Sequence, residues 1–524
     1  MSTVIFEIPK AFFSKSYCPK NGANNLSYIL LHQLIRVHQS NTIILLTDAN
    51  AEDFEQFKFE NKHLKKLVYA TYETIENCLF DYQDIQYCFI SDLNITAFLK
   101  FRNYFQLRIP VVGLIHALGT REQIDKLQEV ANFISNIDCL ICPTQSTQKT
   151  VHNLANKMNI ELLKQVTKVI NHGIDCDHFA PSKQKNDIRK ALDIAEDKVV
   201  ILSLSRINPY TKMDIIPMLD NLKEIVKENT TVLLLVVGSV QVQDYFKQVQ
   251  DYVKKLNLEQ SVKFIKEPEP PFNKYFQLAD IFISPIDNSI ETFGLSVVEA
   301  MATELPVVIS KLGPYNELLE DPNEGYLIPA FMFKGEKSHL SKEFHTSDLI
   351  KFGDAFSQSI ALDNNAFRER LLDLIKSPEK RTEIGVNARK RVLGAYNLPL
   401  MVKNYITTLE ALAKEAKTKQ IEFAKNTILD LDDIYLHFSD NILDSDVKLK
   451  VSERGLKVLL EEESLLMFMR HKMQYPFLPQ IVNYLHSNEA SVKEISKALD
   501  VKTADLSGDI MYLLKHDLVV ISNT

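Results

Sequence analysis

Two glutamates eight positions apart, Glu291 and Glu299, flank and enter a short amphipathic stretch in residues 282–310, FISPIDNSIETFGLSVVEAMATELPVVIS. Carboxylates can accept hydrogen bonds from hydroxyls or hold cations, and their spacing decides which. A short apolar strand over Ile281 to Ser284 leads into a proline-broken polar loop; a helix is expected from about Gly294 to Thr303, then a strand over Pro306 to Ile309. Leu295, Val298 and Ala302 recur at i, i+3 and i+7, a face that can pack on a sheet. The first amides of a helix lack partners within it, and the helix dipole favours negative charge there. With Gly294 allowing close approach, the amides of Phe293, Gly294 and Leu295 can grip a phosphate. Two carboxylates beside such an anion site repel the anion unless each accepts hydroxyl donors on either side of it. A nucleoside diphosphate sugar has that layout: sugar, two phosphates, ribose. An amphipathic core helix carrying two solvated acids accounts for the same spacing.

The frame E-x7-E, with FGL after the first glutamate and EAMA around the second, resembles the donor-site signature of retaining GT-B glycosyltransferases of glycosyltransferase family 4. The following PVV strand comes in the order expected of that family. One departure is visible: the family usually has a glycine before the proline of that strand, where this chain has Glu304 and Leu305. The resemblance implies that Glu299 holds the ribose hydroxyls and Glu291 the hydroxyls of the donor sugar. Thr292, Phe293, Gly294 and Leu295 would line the phosphates. Arg206 and Lys212, in SRINPYTK, resemble the family's paired cations on the diphosphate, where leaving-group charge builds in the transition state. His116, directly after VVGLI, stands where the family places a histidine facing the transferred sugar, although a lone histidine after a strand is more often structural. Gly22, in KNGANN, stands where the family has a glycine-rich loop under the phosphates. The catalytic set implied is His116, Arg206, Lys212 and Glu291; no metal and no cofactor beyond the nucleotide sugar is expected.

The elements that must position these residues read as α/β throughout. Strand-like runs fall at Val4–Ile8, Thr42–Leu46, Leu67–Ala70, Tyr87–Ile90, Val111–Ile115 and Cys139–Cys142, with helical periodicity between them at Leu26–His38 and Ile95–Phe105. A second set follows at Val199–Ser203, Thr231–Val237 and Val262–Ile265. Strands alternating with helices at this spacing imply doubly wound parallel sheets, whose ligands bind beyond the carboxyl ends of the strands. The expected organisation is a first Rossmann-like domain over 1–180 and a second, donor-binding one over 181–397, facing a cleft. A helix over 398–415 crosses back to the first, a helical linker spans 416–475, and a small module fills 476–524. The triplet Asp175-Cys176-Asp177 reads as a linker turn rather than a metal-binding D-x-D, residues 331–359 as an insertion, and Glu317 and Gly325 as cap and turn residues in runs that follow the family pattern.

A chain of 524 residues exceeds one core, and 45% apolar with 24% charged residues is ordinary for a globular protein. A formal charge of −8 argues against a general nucleic-acid binder. No apolar run is long enough to span a bilayer, and the six scattered cysteines read as reduced, mostly buried thiols, so a cytoplasmic location is expected. The pattern from Phe477 resembles a winged helix-turn-helix. Between 491 and 524, however, four lysines stand against five acids, with Asp505 and Asp509 on the helix that would read DNA. A protein contact or homodimerisation surface is therefore favoured over DNA. The main expectation is a retaining, metal-independent hexosyltransferase taking its sugar from a nucleoside diphosphate donor to a glycan, peptide or protein, or small-molecule acceptor. The alternative is a catalytically silent GT-B scaffold that recruits proteins through the C-terminal module. A sugar-linked transcription regulator is opposed by the module's charge.

Overall fold

The computed structural model describes residues 2–13, 22–64, 66–82, 84–334, 340, 343–344, 349–421, 439–460 and 476–522. The chain divides into two units: one formed by 1–118, 122–174 and 395–429, the other by 119–121, 175–394 and 430–524.

The first unit is built on a seven-stranded parallel sheet: β1 (Thr3–Glu7), β2 (Thr42–Leu46), β3 (Lys66–Ala70), β4 (Ile85–Ile90), β5 (Val111–Leu114), β6 (Cys139–Cys142) and β7 (Thr167–Val169). Their order across the sheet is β3-β2-β1-β4-β5-β6-β7. The central strands are buried along almost their whole length, as a sheet covered by helices on both faces requires. Arg102 and Asp138, both buried, form a bidentate pair at 3.0 and 2.8 Å. Asp138 also accepts from the amides of Val111 and Ser135, which ties the start of β5 to the turn before β6. The helix Leu398–Ala416 belongs to this unit, with Tyr405 edge-on to Phe89 of β4. The five described cysteines are buried free thiols, and burial pushes Cys139 up to about 12. Cys18 lies outside the described residues.

The second unit repeats the theme with β8 (Val199–Leu204), β9 (Val232–Gly238), β10 (Val262–Lys266), β11 (Ile281–Ser284), β12 (Val307–Lys311), β13 (Tyr326–Phe333) and β14 (Ile360–Leu362), ordered β10-β9-β8-β11-β12-β13-β14. Strand order reverses between β8 and β11, so the crevice at their carboxyl ends is the expected ligand site of this unit. Asp280, one residue before β11, fixes that junction. It accepts from the amide of Val200 on β8 at 2.7 Å and is neutralised by Lys185 and Arg189, each at 2.6 Å. These cations pull its carboxyl below the usual range, overcoming the rise that burial would cause.

The stretch expected to be a helical linker departs from that expectation. Part of it, 422–438 and 461–475, lies outside the described residues, but the rest holds two strands, β15 (Asn441–Leu443) and β16 (Lys448–Val451), as well as the helix Glu453–Leu460. The cause is visible in KLKV: lysines outward and Leu449 fully buried, an alternation that the high charge masks as helix-prone surface. β15 extends the second unit's sheet by pairing in parallel with β13. β16 lies between β17 (Ala490–Ser491) and β18 (Val519–Ile521) in a small antiparallel sheet. Helices Leu478–His486, Val492–Leu499 and Thr503–Lys515 surround it, the second opened by a reciprocal Ser491–Glu494 capping box. The core of this piece continues into Phe333 and Ala361 of the second unit. Helix Thr503–Lys515, the one that would read DNA in a winged helix, is buried at Asp509, Ile510 and Met511 instead of facing solvent.

Glu304 has φ of 62°, a left-handed conformation that side chains with a Cβ resist. This is the position where the related pattern has its glycine, and the turn is kept here despite the side chain. Replacing Glu304 with Gly is therefore expected to stabilise the protein by about 1 kcal/mol, read as a higher urea midpoint. The ion pair between Glu304 and Arg389, at 3.9 Å and partly open to water, offsets little of that gain.

Candidate functional site

Three segments of the second unit meet the carboxyl ends of β8 and β11. The loop after β8 carries Arg206 and Lys212; the loop after β11 carries Glu291; the helix Leu295–Ala302 carries Glu299. The two loops are tied together by their own polar groups. Asn288 donates from Nδ2 to the carbonyl of Lys212, and its Oδ1 accepts from the amide of Ile290 at 2.8 Å. Asp287 accepts from the amide of Asp214 at 3.1 Å.

Lys212 Nζ lies 3.0 Å from Glu291 Oε2, in a pair about four-fifths shielded from water. Burial alone would raise the Glu291 carboxyl, but Lys212, the Phe293 amide and Arg206 together hold it below the usual range. It is therefore ionised at neutral pH. Arg206 is half-buried, feels Glu291 as its nearest opposing charge, and its side chain makes no hydrogen bond among the described residues. The two glutamates differ sharply in their surroundings. The Glu299 side chain has neither a hydrogen bond nor an ion pair among the described residues, and burial pushes its carboxyl up to about 8. At neutral pH Glu291 is thus a paired carboxylate, while Glu299 is largely protonated and its hydrogen-bonding capacity is unspent.

Gly294 has φ of 105° and precedes the first turn of the helix. A Cβ here would also meet the Tyr315 ring at 2.4 Å. Tyr315 is buried and its hydroxyl is 2.8 Å from Ser284 Oγ at the end of β11, so the ring acts as a floor under the glycine turn. Phe293 and Thr292 are buried beside it.

Two further candidates lie in the first unit. His116 follows β5 and places Nε2 2.7 Å from the Ser91 carbonyl and 2.9 Å from Ser27 Oγ. A carbonyl only accepts, so Nε2 carries the proton. Burial lowers the imidazole's pKa despite the Ser91 bond and nearby Asp92, and the ring is neutral at pH 7. Gly22 does not lie in a loop: it opens the helix Gly22–Val37, and Lys20 and Asn21 lie outside the described residues. Glu7, at the carboxyl end of β1, accepts from the Tyr72 hydroxyl at 2.8 Å; burial, with Asp92 and Asp48 nearby, raises it to about 7. Asp175 spends its carboxylate on the amides of Asp177 and His178 and so closes a turn. Among the described residues no group of three or more His, Cys, Asp or Glu side chains is arranged to hold a metal ion.

Asp287, Asn288, Tyr315 and Glu7 do not stand out in the sequence. Tyr315 has a faint signal, since it directly precedes the NELLED run, which carries Glu317 and follows the family pattern.

Residues 184–333 match the family of glycosyl transferases group 1. That segment holds Arg206, Lys212, Glu291 and Glu299 together. D-inositol 3-phosphate glycosyltransferase of Kribbella flavida is 25% identical over 190 residues, 35% of this chain and 43% of the relative. Lipopolysaccharide 1,2-N-acetylglucosaminetransferase of Salmonella typhimurium is 29% identical over 164 residues, 30% and 42%. The chain spans about half the length of the curated relatives it matches. Among solved structures, HepE of Anabaena in complex with UDP superposes with a TM-score of 0.55 at 18% identity, covering 78% of this chain and 100% of that one. Sucrose-phosphate synthase of Thermosynechococcus elongatus gives 0.53 at 15%, covering 79% and 99%. At these identities the likeness is one of fold: two parallel α/β sheets of the GT-B kind.

Glu299 has a folded-state pKa of about 8 against an ordinary 4.5, so ionising it costs folding free energy as pH rises from about 4.5 to 8. Glu299→Gln should differ little from the wild type at pH 4 and exceed it at pH 8.5, by on the order of 2–4 kcal/mol. Thermal or urea unfolding at the two pH values measures the difference; equal gaps at both would show that Glu299 is not desolvated.

Proposed function

We propose that the protein is a retaining glycosyltransferase that moves a hexosyl group from a nucleoside diphosphate sugar to a glycan, a peptide or protein, or a small-molecule acceptor. The observation that carries this reading is the contrast between the two glutamates. Glu299 is desolvated and its side chain has no partner among the described residues, which is costly unless a ligand supplies hydroxyl donors. A ribose does so. Glu291, already ionised, accepts from hydroxyls of the donor sugar.

Arg206 and Lys212 lie on the diphosphate in this reading, with the amides of Phe293, Gly294 and Leu295 completing the anion site and Thr292 lining it. Lys212 has three N–H donors, so it can keep Glu291 and reach a phosphate oxygen as well. As the bond from the anomeric carbon to the diphosphate breaks, its electron pair moves onto the leaving phosphate, where both cations stabilise it. The acceptor oxygen attacks from the same face and its proton passes to a phosphate oxygen of the leaving group. No protein nucleophile is needed, and the cations supply the charge that a metal supplies elsewhere. His116, neutral with Nε2 protonated, serves as a positioning group on the sugar side, and Gly22 would meet the donor at the start of its helix. UDP binding by the HepE structure and the named activities of the relatives support a nucleotide-sugar donor.

We read the C-terminal piece, with its helix, strand, helix, helix, strand order from Leu478, as winged-helix-like, and its free surface as a protein contact or homodimerisation site rather than a nucleic-acid one. No described helix is long and apolar enough to cross a membrane, and we place the protein in the cytoplasm.

A panel of UDP-, GDP-, ADP- and dTDP-sugars without added metal tests the reading. One nucleotide class at 100 times its Kd should stabilise the wild type by about 2.7 kcal/mol. Glu299→Ala should lose that shift and Arg206→Ala most of it. A wild type that responds to none of them would remove the donor site, and with it the proposed activity.

A further inference from the structure

Lys515 of the C-terminal piece reaches the loop that follows β11. Lys515, the last residue of helix Thr503–Lys515, is 4% exposed, and its ammonium donates to Asp287 Oδ2, to the Ser357 carbonyl at 2.8 Å and to Ser357 Oγ at 2.9 Å. Its three protons are all used. Asp287, also 4% exposed, is the receiving hub. Its Oδ2 takes the Asp214 amide as well as Lys515, and its Oδ1 takes the Ser357 hydroxyl at 3.0 Å. Burial raises the Asp287 carboxyl, and Lys515 is the main force opposing that rise.

Both loops leaving this hub lead to the candidate donor residues. Asp214 lies two positions after Lys212, and Asp214 Oδ1 in turn accepts from the Ile216 amide at 3.0 Å and from the Tyr245 hydroxyl at 2.9 Å. On the other side, Asp287 lies four positions before Glu291, with Asn288 fastened to the Lys212 carbonyl. The second tether is independent: Arg454, at the start of helix Glu453–Leu460, pairs at 2.6 Å with Asp220, a few residues further along from Asp214. A module meant only for a separate partner would not need to bury a lysine behind the loop that orients Lys212.

We infer that Lys515 is a positioning residue for the donor site: by neutralising and orienting Asp287 it sets the two loops that present Lys212 and Glu291. The inference rests on the reading of those two residues as donor contacts. Without the ammonium, Asp287 is a buried carboxylate with no cation, and it must take up a proton or turn towards water; either response loosens its hold on the Asp214 amide.

The test uses the full chain carrying Lys515→Met, with two readouts. The first is the Kd of whichever of UDP, GDP, ADP or dTDP binds the wild type, measured by calorimetry at a temperature where circular dichroism matches the wild type. The second is amide hydrogen exchange. A tenfold or greater weakening is expected, with the Asp214 amide exchanging at least tenfold faster while the amides of β8 and β9 keep their rates. An unchanged Kd overturns the inference, and so does unchanged Asp214 exchange. So does acceleration shared equally by β8 and β9, which marks general destabilisation. If the methionine variant does not fold, Lys515→Gln, which keeps two donors on an uncharged side chain one bond shorter, is judged by the same readouts. Glu299→Ala separates the two claims: loss of binding there with normal binding in the Lys515 variant fails the positioning inference alone. If no nucleotide binds the wild type, the functional reading fails and the exchange arm still decides what Lys515 holds.

Discussion

The second unit turns on β11, a strand of four residues with an ion-paired aspartate close to each end. Asp280, just before it, is neutralised by Lys185 and Arg189 and accepts an amide from β8, so the two strands at the reversal of order are locked side by side. Asp287, three residues past its other end, is neutralised by Lys515 and accepts an amide from the loop that follows β8. Taking a carboxylate out of water is costly without a cation and several hydrogen bonds. Both aspartates have such support, and in each case the bond they give back goes to the neighbouring chain segment. The crevice expected between β8 and β11 is a product of topology; Asp280 clamps the strands at their amino ends, and Asp287 ties together the loops at their carboxyl ends.

Charge within the site is arranged unevenly. Lys212 and Arg206 together keep the Glu291 carboxylate ionised and leave one positive charge over, whereas Glu299, eight residues on and one turn into the helix, is left to carry its desolvation alone. Two acids of the same type therefore have different tasks because their neighbours differ. The backbone between them adds a third element. Gly294 is required twice over, by its left-handed conformation and by the Tyr315 ring beneath it, so the amides that follow are held in one orientation by packing.

The strands, their order of appearance and the E-x7-E frame are legible in the sequence because each is a local pattern: apolar runs bounded by turn residues, and two carboxylates at a fixed spacing, one before the helix and one within it. Glu304 is also visible as an anomaly, and its left-handed φ explains why a glycine is usual there. What stays hidden is non-local. Nothing near Asp287 in the sequence hints that its cation comes from Lys515, and Tyr315 reveals its role only when it lies under Gly294. β16 escapes for a different reason, since its lysines dominate a stretch in which two apolar positions set the structure. Gly22 reads as a loop residue because a single glycine is a breaker, although a helix can start with one at no cost to its interior hydrogen bonds. The C-terminal helices can be read at their observed places, but their burial against the second unit depends on surfaces that no local window contains.

The Asp287–Lys515 pair spans 228 residues of chain. Contacts of such separation form late, since the intervening segments must be ordered or closed into a loop before the two charges meet. A nascent chain that has completed both large sheets, but has not yet built the helix ending at Lys515, therefore holds Lys212 and Glu291 on loops with no common anchor. The anchor common to these two loops then arrives as one of the last events of folding.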